Sequence, residues 1–313
     1  MQKNSSIYVA GHKGLVGSAI VRRLLDLGYT NLILRNRREL DLLCQKAVAD
    51  FFSEHRPEYV FLAAAKVGGI MSNKTHKADF IYENLQIQNN IIHNAAICGI
   101  SKLLFLGSSC IYPRDCPQPM REDYLLTGSL EKTNDAYAVA KIAGIKMCQS
   151  YNEQYNTNFI SVMPTNLYGI NDNFDIENGH VLPSLIRKFY LAKINEQPCV
   201  ELWGTGAPLR EFLYVDDLAD ACVYLMNNYA QSSIVNIGTG EEISIKDLAM
   251  LIRDIVDYRG EIIWNSSRPD GTPRKLLDVS KLHVLGWQHR VMLRVGLKTT
   301  YTWFLQNQET LRQ

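Results

Sequence analysis

Residues 7–17 read IYVAGHKGLVG, a short apolar run that leads into three glycines, Gly11, Gly14 and Gly17. The following run, 18-SAIVRRLLDLG, carries apolar residues at helical spacing, so the glycines lie between a predicted strand and a predicted helix. Such glycines let the backbone approach a pyrophosphate, and the helix N-terminus offers free N–H groups. The stretch predicts dinucleotide binding, with an incidental glycine-rich turn as the alternative.

Further β-rich runs alternate with helix-length amphipathic segments through the first half of the chain. They are 31-NLILR, 58-EYVFLAAA, 102-KLLFLGSS and 158-NFISVMP. Nearly all-apolar strands that alternate with helices are typical of a parallel sheet covered on both faces. We predict an α/β fold, a doubly wound parallel Rossmann sheet with a smaller mixed α/β C-terminal substrate domain.

The alternation of β-rich runs and helical segments breaks after about residue 170. Short strands such as 200-VELWG and 261-EIIWN mix there with helices predicted near 180–195, 216–228 and 244–257. We assign 1–170 to the NADP(H)-binding Rossmann domain and 171–313 mainly to the substrate-binding domain. The runs 212-FLYVDD and 234-IVNIGTG are candidate strands that return to the first sheet, so segments near 210–240 belong to the Rossmann domain.

Composition excludes several classes of protein. Lys and Arg number 33 against 32 Asp and Glu in 313 residues, so no basic patch for nucleic acid is indicated. No run of 18 apolar residues occurs, and the N-terminus lacks the basic flank of a signal peptide, which predicts a cytoplasmic protein without membrane contact. Seven scattered cysteines with no Cys-x-x-Cys pair suggest no metal site and fit a reducing compartment.

The second predicted strand ends in 35-RNRREL, where an acidic residue would accept hydrogen bonds from the ribose of NAD. Arginines stand there instead, and Arg37 or Arg35 can pair with a 2′-phosphate, assisted by Lys13 in the glycine turn. The pattern favours NADP(H). The alternative is a solvated basic turn.

A Tyr-x-x-x-Lys pair follows in 135-DAYAVAKIAGIKMCQSY, where Tyr137 and Lys141 share one face of a predicted helix. An adjacent ammonium lowers a phenol's pKa, and a shift of about three units corresponds to about 4 kcal/mol. Two hydroxyls, Ser108 and Ser109, follow the fourth predicted strand. Taken alone, a Tyr-x-x-x-Lys pair is more often part of a surface helix.

Together, the glycine turn, the paired hydroxyls and the Tyr-x-x-x-Lys pair resemble the extended short-chain dehydrogenase/reductase family. Longer strings, which extend nearly end to end, resemble the GDP-L-fucose synthases, a family of bifunctional epimerase-reductases within it. These strings are 63-AAAKVGGI, 104-LFLGSSCIYP, 137-YAVAKIAGIK, 162-VMPTNLYG, 210-REFLYVDD and 268-RPDGTPRKLLDV.

The resemblance implies a reaction and its catalytic residues. GDP-4-keto-6-deoxy-D-mannose would be inverted at C3 and C5 by an acid-base pair, Cys110 and His180, and its C4 ketone then reduced by NADPH. Ser108 and Tyr137 would hold the C4 oxygen, with Tyr137 as proton donor and Lys141 lowering its pKa and contacting the nicotinamide ribose. Without the resemblance, Cys110 is more typical of a small buried apolar residue and His180 of a helix start.

The resemblance also implies binding residues and a homodimer through helices near 77–98 and 135–155. The implied cofactor-binding residues are Gly11, His12, Lys13, Gly14, Leu15, Val16, Gly17, Arg37, Asp41, Leu42, Leu106, Gly107, Lys141, Pro164, Thr165, Asn166, Leu167 and His180. The implied substrate-binding residues are Lys188, Trp203, Arg210 and Asp270. Each of these four also has an ordinary structural explanation: a solvated helix face for the lysine, core packing for the tryptophan, and structural ion pairs for the other two.

The sequence departs from the family pattern at one position, and three rival functions are weighed against the residues. The glycine turn carries Lys13 where the family commonly has Arg, and a point charge recognises a phosphate less selectively than a guanidinium. A 4,6-dehydratase would carry an Asp-Glu pair where Cys110 and Ile111 stand. A 4-epimerase would retain NAD and consume no NADPH. A non-catalytic NADPH-binding regulator would not need Ser108, Tyr137 and Lys141 together.

Overall fold

A parallel six-stranded sheet forms the centre of the protein in the computed structural model, which describes residues 1–177, 179–267 and 270–311. Every pair of adjacent strands in it is parallel. In spatial order the strands are β2 (Leu32–Ile33), β1 (Ile7–Ala10), β3 (Tyr59–Leu62), β4 (Lys102–Leu106), β5 (Phe159–Pro164) and β10 (Val235–Ile237). The predicted Rossmann-type sheet is confirmed.

Helices cover both faces of this sheet. One face packs against α1 (Leu15–Asp26) and α7 (Val215–Asn228), the other against α2 (Gln45–His55), α4 (Lys77–Ile97) and α5 (Asp135–Tyr155). The short α3 (Ile70–Thr75) precedes α4, and one-turn 3-10 helices span Ser109–Ile111 and Glu122–Tyr124. Along β1 the side chains alternate between the two cores, so nearly every strand residue is apolar and buried.

A third core lies in the second half of the chain, around α6 (Val181–Ile194), α8 (Ile245–Val256) and α10 (Leu293–Gln306). A short α9 (Ser280–Val284) and a 3-10 turn at Gln308–Thr310 complete the helices of the described residues. Three small sheets accompany them. Their members are β7 (Cys199–Trp203) with β12 (Glu261–Asn265), β6 (Asn166–Tyr168) with β9 (Phe212–Tyr214), and β8 (Leu209–Arg210) between β11 (Ile243–Ser244) and β13 (Arg274–Lys275).

One of the two predicted returning strands joins the central sheet and the other does not. The run at 234 becomes β10, which pairs with β5 as predicted. The run at 212 becomes β9, which pairs with β6 in a separate two-stranded sheet, so that prediction is wrong. The reason is geometric, because β10 already occupies the free edge of β5.

The carboxyl ends of the central strands meet at one edge, where the order reverses between β1 and β3. Ligands of doubly wound sheets bind in the crevice at such a reversal. The segments after β1, β4 and β5 therefore share one region, which is where the predicted site residues lie. Within the described part of the chain, no helix is both long enough and apolar enough to cross a bilayer.

Candidate active site

The glycine turn after β1 forms a close-packed cradle. Gly11 has φ +84°, and a Cβ there would lie 2.8 Å from the backbone of Ala64. A Cβ on Gly17 would collide with the carbonyl oxygen of Gly11. Gly14 caps α1 without a side-chain hydrogen bond, and the first turn holds no acidic residue. The N–H groups at the start of α1 and the positive helix end thus face a turn whose glycines leave its backbone open to a pyrophosphate.

The two candidate arginines differ in what they contact. Arg35 donates to the carbonyl oxygen of Leu34 at 3.1 Å and lies 2.8 Å from Nε2 of His55. Arg37 is exposed and forms no hydrogen bond or ion pair with the described residues. Of the two, Arg37 is therefore the side chain available to a 2′-phosphate.

Other residues of the predicted nucleotide site have mixed surroundings. Nδ1 of His12 is buried and finds no hydrogen-bond partner in the described chain, and burial lowers its pKa. Lys13 is exposed beside it. Asp41 accepts from the N–H of Leu43 at 3.1 Å, and the carbonyl of Leu42 accepts from Asn90 at 2.8 Å. The last two contacts hold the loop after β2 in place.

Strand β4 ends in a tight turn that presents Ser108 and Cys110. A Cβ on Gly107 would collide with Met163, so the chain there packs directly on β5. Ser108 caps the following 3-10 turn, with its Oγ accepting from the N–H of Cys110 at 3.3 Å. Cys110 is only 7% exposed.

The electrostatic surroundings of Cys110 show which way its thiol faces. Burial raises the pKa of Cys110, whereas Lys275, the Ser108 hydroxyl and Lys141 lower it. Cys110 also lines a cavity together with Lys275. The thiol therefore lies close enough to Tyr137, Lys141 and Ser108 for their charges and hydrogen bonds to influence one another.

Tyr137 and Lys141 lie on the same face of α5, as their spacing predicts. Lys141 is buried and donates to the carbonyl of Leu106 at 2.8 Å, with its Nζ 5.7 Å from the centroid of the Tyr137 ring. Burial lowers the pKa of Lys141 to about 8. The lysine thus ties α5 to the end of β4 beside the two hydroxyls.

The expected effect of Lys141 on the phenol is not found. The pKa of Tyr137 is raised, first by burial and then by Cys110, while the hydroxyl of Ser108 lowers it. The ammonium of Lys141 points at Leu106 and at the face of the ring, not at the hydroxyl. Without an added cofactor charge, Tyr137 is held as a protonated phenol.

His180 is the N-cap residue of α6. The residue is exposed to solvent. The pKa of its imidazole is lowered, first because the surrounding protein displaces water and then because Lys275 is positively charged. Lys275 therefore stands close to both members of the predicted acid-base pair, and the sequence analysis missed it. It lies inside the string 268-RPDGTPRKLLDV, whose first two residues fall outside the described residues, and that matching string was the only sequence signal for it.

The predicted substrate residues come together as two pairs. Nζ of Lys188 lies 5.7 Å from the ring centroid of Trp203, whose side chain is 53% exposed. Arg210 and Asp270 lie close enough to influence each other's pKa. Asp270 also accepts from the backbone N–H and hydroxyl of Thr205, at 2.9 and 2.7 Å, so part of its role is to hold that turn.

The segment after β5 is tied down by a residue that the sequence analysis also missed, Glu211. Its carbonyl accepts from the side chains of Asn166, at 2.8 Å, and Thr165, at 3.4 Å. Pro164 ends β5 and Leu167 lies in β6. The amide nitrogen of Asn166, an implied cofactor-binding residue, thus donates to a group within the protein.

The carboxylate of Glu211 is fully buried. Its Oε1 accepts from the N–H groups of Thr239 and Gly240, at 2.6 and 2.8 Å, and its Oε2 from that of Leu277 at 3.0 Å. One residue therefore joins the ends of three strands, β10 and β13 through its carboxylate and β5 through its carbonyl oxygen. No local pattern in the sequence marks it, because its partners come from distant segments.

A known protein family and several known proteins match most of the chain. The model of the NAD dependent epimerase/dehydratase family matches residues 7–238. A putative GDP-L-fucose synthase 2 from Arabidopsis thaliana is 59% identical over 307 residues, 98% of this chain and 94% of the relative. The GDP-L-fucose synthase of Escherichia coli (strain K12) is 53% identical over 315 residues, 98% of each chain.

Solved structures agree with the sequence relatives. A GDP-L-fucose synthetase from Naegleria fowleri bound to NADP is 32% identical, with a TM-score of 0.94 over 100% of this chain and 96% of that one. MlghC, a GDP-mannoheptose C4 reductase from Campylobacter jejuni with NADP bound, is 46% identical, with a TM-score of 0.89 over 97% and 99%. The chain therefore belongs to the NAD dependent epimerase/dehydratase family, among the extended short-chain dehydrogenases/reductases, and within it to the GDP-L-fucose synthases.

Proposed function

We propose that this chain converts GDP-4-keto-6-deoxy-D-mannose to GDP-L-fucose, by inversion at C3 and C5 followed by NADPH-dependent reduction at C4. The observation that carries the proposal is the placement of the Cys110 thiol beside Ser108, Tyr137 and Lys141. A simple reductase needs the last three residues but not an additional acid-base group. The names of the closely similar relatives support the same reaction.

NADP(H) fits the crevice at the carboxyl ends of the strands. The glycine turn between β1 and α1 would hold the pyrophosphate, Arg37 the 2′-phosphate, and Lys141 with residues 164–167 the nicotinamide end. When bound as NADPH, the cofactor supplies the hydride that reduces the C4 ketone. The family match and the NADP-bound neighbours support this cofactor.

Inversion depends on proton transfers at the carbons next to the ketone. The C4 carbonyl acidifies the protons on C3 and C5, because the negative charge left by deprotonation moves onto its oxygen. Cys110 as thiolate removes each proton, and His180 returns one to the opposite face. The lowered pKa of His180 makes its imidazolium a stronger donor, although a less populated one at neutral pH.

Reduction needs a proton at the C4 oxygen, and Tyr137 supplies it. The raised pKa of Tyr137 keeps the phenol protonated, so its O–H can hydrogen-bond the ketone before the transfer. Ser108 provides a second donor close to the same hydroxyl. Transfer of a proton from Tyr137 to the ketone requires a protonated phenol. A raised pKa of Tyr137, instead of the lowered one expected from the sequence, is therefore consistent with reduction.

The direct test is to incubate the pure protein with NADPH and GDP-4-keto-6-deoxy-D-mannose in D2O and identify the product by NMR. We expect GDP-L-fucose with deuterium at C3 and C5 and one NADPH consumed per product. Reduction that leaves the D-configured ring unlabelled would contradict the inversion step. NADPH-independent conversion would contradict the reductase assignment.

A second candidate function is C4 reduction of a GDP-bound keto-heptose without inversion. The 46% identity to the Campylobacter jejuni C4 reductase favours testing it. A GDP-4-keto-heptose offered under the same conditions separates the two. Faster reduction of the heptose than of the 6-deoxy sugar, with no deuterium at C3 or C5, would favour this candidate.

Three broader assignments belong to the same proposal. Residues 171–313 mainly bind the GDP-sugar, since Lys188, Trp203 and Arg210 lie there. The chain acts in the reducing cytoplasm, which its seven free thiols suit. It forms a homodimer through α4 and α5, and light scattering at the mass of one chain would contradict the dimer.

Apolar side chains on the two helices support the dimer. On α4, Tyr82 is 63% and Ile97 67% exposed, and on α5 Val139 is 44% and Tyr155 58% exposed. Large apolar groups left exposed on adjacent helices are typical of a surface that another protein covers.

A further inference from the structure

Lys275 is a partly buried cation that the proposed mechanism does not use. It lines the cavity beside Cys110, together with Ser109 and Asn134. The Oδ1 of Asn134 is itself buried and has no hydrogen-bond partner among the described residues. Unpaired polar atoms in one cavity indicate a place built for a polar ligand or a reacting group.

The fold holds the backbone of Lys275 firmly. It ends β13, which runs parallel to β8 with Lys275 opposite Arg210. The two residues that follow are both anchored, Leu276 through Gln118 at 2.9 Å and Leu277 through the carboxylate of Glu211 at 3.0 Å. The lysine therefore reaches the cavity from a braced strand.

The charged and titratable groups that face Lys275 come from several elements. Cys110 and Cys116 approach from the segment after β4, Glu131 from the loop before α5, Arg210 from β8 and His180 from the start of α6. Glu131 contacts Arg114 at 3.3 Å. In the described parts of the chain, no carboxylate lies within 4 Å of the Lys275 ammonium.

Cys110 in turn is faced by Lys275, by the Ser108 hydroxyl, and by Lys141 and Tyr137 of α5. Lys141 already donates to the carbonyl of Leu106, whereas Lys275 has no such partner in the described chain. An ammonium that is partly withdrawn from water and has no partner is costly unless an anion forms next to it. A thiolate at position 110 is an anion that the site can generate, and among the groups that raise the pKa of Lys275 Cys110 has the largest effect.

We propose that Lys275 acts through Cys110, stabilising its thiolate form so that it can serve as the base of the epimerisation. The inference rests on the proposed function. Burial lowers the pKa of Lys275 and Cys110 opposes that shift, and the attraction between the ammonium and the thiolate is strongest before proton transfer.

The proton and electron balance of the step is simple. The sulfur of Cys110 takes the proton from C3 or C5, so an S–H bond forms and a C–H bond breaks. The electron pair of that bond moves onto the C4 oxygen, near Ser108 and Tyr137. His180 then donates a proton to the opposite face of the carbon. Before the next inversion, solvent takes the proton from Cys110 and returns one to His180.

The electrostatics of the site support the proposal. Burial raises the pKa of the Cys110 thiol, and among the groups that oppose this Lys275 has the largest effect, ahead of Ser108 and Lys141. An opposite charge at close range shifts a pKa by about one to three units. Loss of the lysine charge should therefore remove most of the thiolate near neutral pH.

The experiment compares Lys275→Met, which keeps the side-chain length but loses the charge, with Lys275→Arg, which keeps the charge. The readout is the rate of carboxamidomethylation at Cys110 by iodoacetamide between pH 6 and 10, measured by mass spectrometry of the peptide that contains it. We expect the rate at pH 7.5 to fall about tenfold in Lys275→Met, with an unchanged plateau at high pH. Lys275→Arg should stay within about threefold of the parent, and Lys46→Met, an exposed charge on α2, should change nothing.

A second measurement keeps the inference separate from the proposed function. Deuterium exchange at C3 and C5 should fall about tenfold in Lys275→Met at pH 7.5, with reduction of the pre-epimerised ketone nearly unchanged. A shifted alkylation profile in a protein that shows no exchange would refute the epimerase proposal and leave the thiolate pairing intact. An unchanged pH profile of Cys110 alkylation together with a raised KM for the GDP-sugar would overturn the pairing of Lys275 with Cys110. Lys275 would then be a ligand of the diphosphate.

Folding of the variants is checked by thermal denaturation and by NADPH affinity. If Lys275→Met does not fold, Lys275→Gln tests the same loss of charge with a polar side chain. An alkylation profile of Lys275→Gln that coincides with the parent profile would equally overturn the inference.

Discussion

Cys110 combines burial with a ring of polar neighbours. A thiol that is only 7% exposed would ordinarily be inert, because burial raises its pKa. Here two ammonium groups and a serine hydroxyl oppose that effect. The pKa of each of these groups depends on the balance between burial and nearby charges. For Tyr137 burial prevails, so the phenol stays protonated.

Replacement of Cys110 by serine should separate the two half-reactions. We expect Cys110→Ser to slow deuterium exchange at C3 and C5 by at least about a hundredfold, because a serine hydroxyl does not ionise in this range. Reduction of a pre-epimerised ketone should change by less than about threefold. Exchange is followed by NMR and reduction by NADPH absorbance, and equal loss of both activities would contradict the division of labour.

The pH dependence of the parent protein provides a further check on the same residue. Since burial raises the pKa of Cys110, exchange should increase with pH through the alkaline range as the thiolate forms. Reduction should not rise over that range, because the raised pKa of Tyr137 keeps its proton in place. Parallel pH profiles for exchange and reduction would argue against separate groups.

Removal of the Tyr137 hydroxyl should have the opposite effect to Cys110→Ser. Tyr137→Phe keeps the ring, which packs edge-on against Phe80 at 6.4 Å, but removes the proton donor. We expect NADPH oxidation to fall at least about a hundredfold, with part of the exchange retained through Ser108. Full reductase activity in Tyr137→Phe would exclude the tyrosine from its role.

At the scale of secondary structure, the site consists of strand ends and the turns that follow them. The turn after β1 has no room for side chains, the turn after β4 presents a capped Ser-Ser-Cys segment, and α5 brings Tyr137 and Lys141 alongside. Each turn depends on local chemistry, namely glycine where atoms approach closely and serine where an N–H needs a cap.

The turn after β2 should set the choice between NADP and NAD. Arg37→Asp replaces a free guanidinium with a carboxylate that repels a 2′-phosphate and accepts from a ribose hydroxyl. We expect the ratio of kcat/KM for NADPH over NADH to fall at least about tenfold. Arg38→Asp, the exposed neighbour, is the control and should leave the ratio within about threefold. An unchanged preference in Arg37→Asp would remove Arg37 from the site.

At the scale of the whole molecule, the small sheets of the second half are joined to the central sheet through Glu211. The carboxylate meets the loop after β10 and the residue after β13, and its own strand region meets the segment after β5. Arg210 precedes Glu211, and Lys275 lies two residues before Leu277, so Glu211 also fixes where these two proposed site residues lie relative to each other.

Loss of that carboxylate should destabilise the protein. Glu211→Ala leaves three backbone N–H groups without their acceptor, and we expect unfolding to become easier by about 3 kcal/mol. Glu242→Ala removes a partly exposed ion pair with Arg274 at 2.8 Å and should cost less than about 1 kcal/mol. Denaturant melts compare the two, and equal effects would contradict the joining role of Glu211.

The sequence by itself determined the parallel sheet, the glycine cradle and the position of Tyr137 and Lys141 on one face of α5. These features depend on short-range periodicity and turn chemistry, which a few neighbouring residues encode. The family strings further brought Cys110 and His180 forward as candidates, which no local pattern would have done.

Only the tertiary structure decided the rest. It placed β9 outside the central sheet, occupied Arg35 and left Arg37 free, and turned Lys141 away from the Tyr137 hydroxyl. It also brought Lys275 to Cys110 from the far end of the chain. Pairing partners and the charge around a buried group depend on segments distant in sequence, so they exist only once the chain has folded.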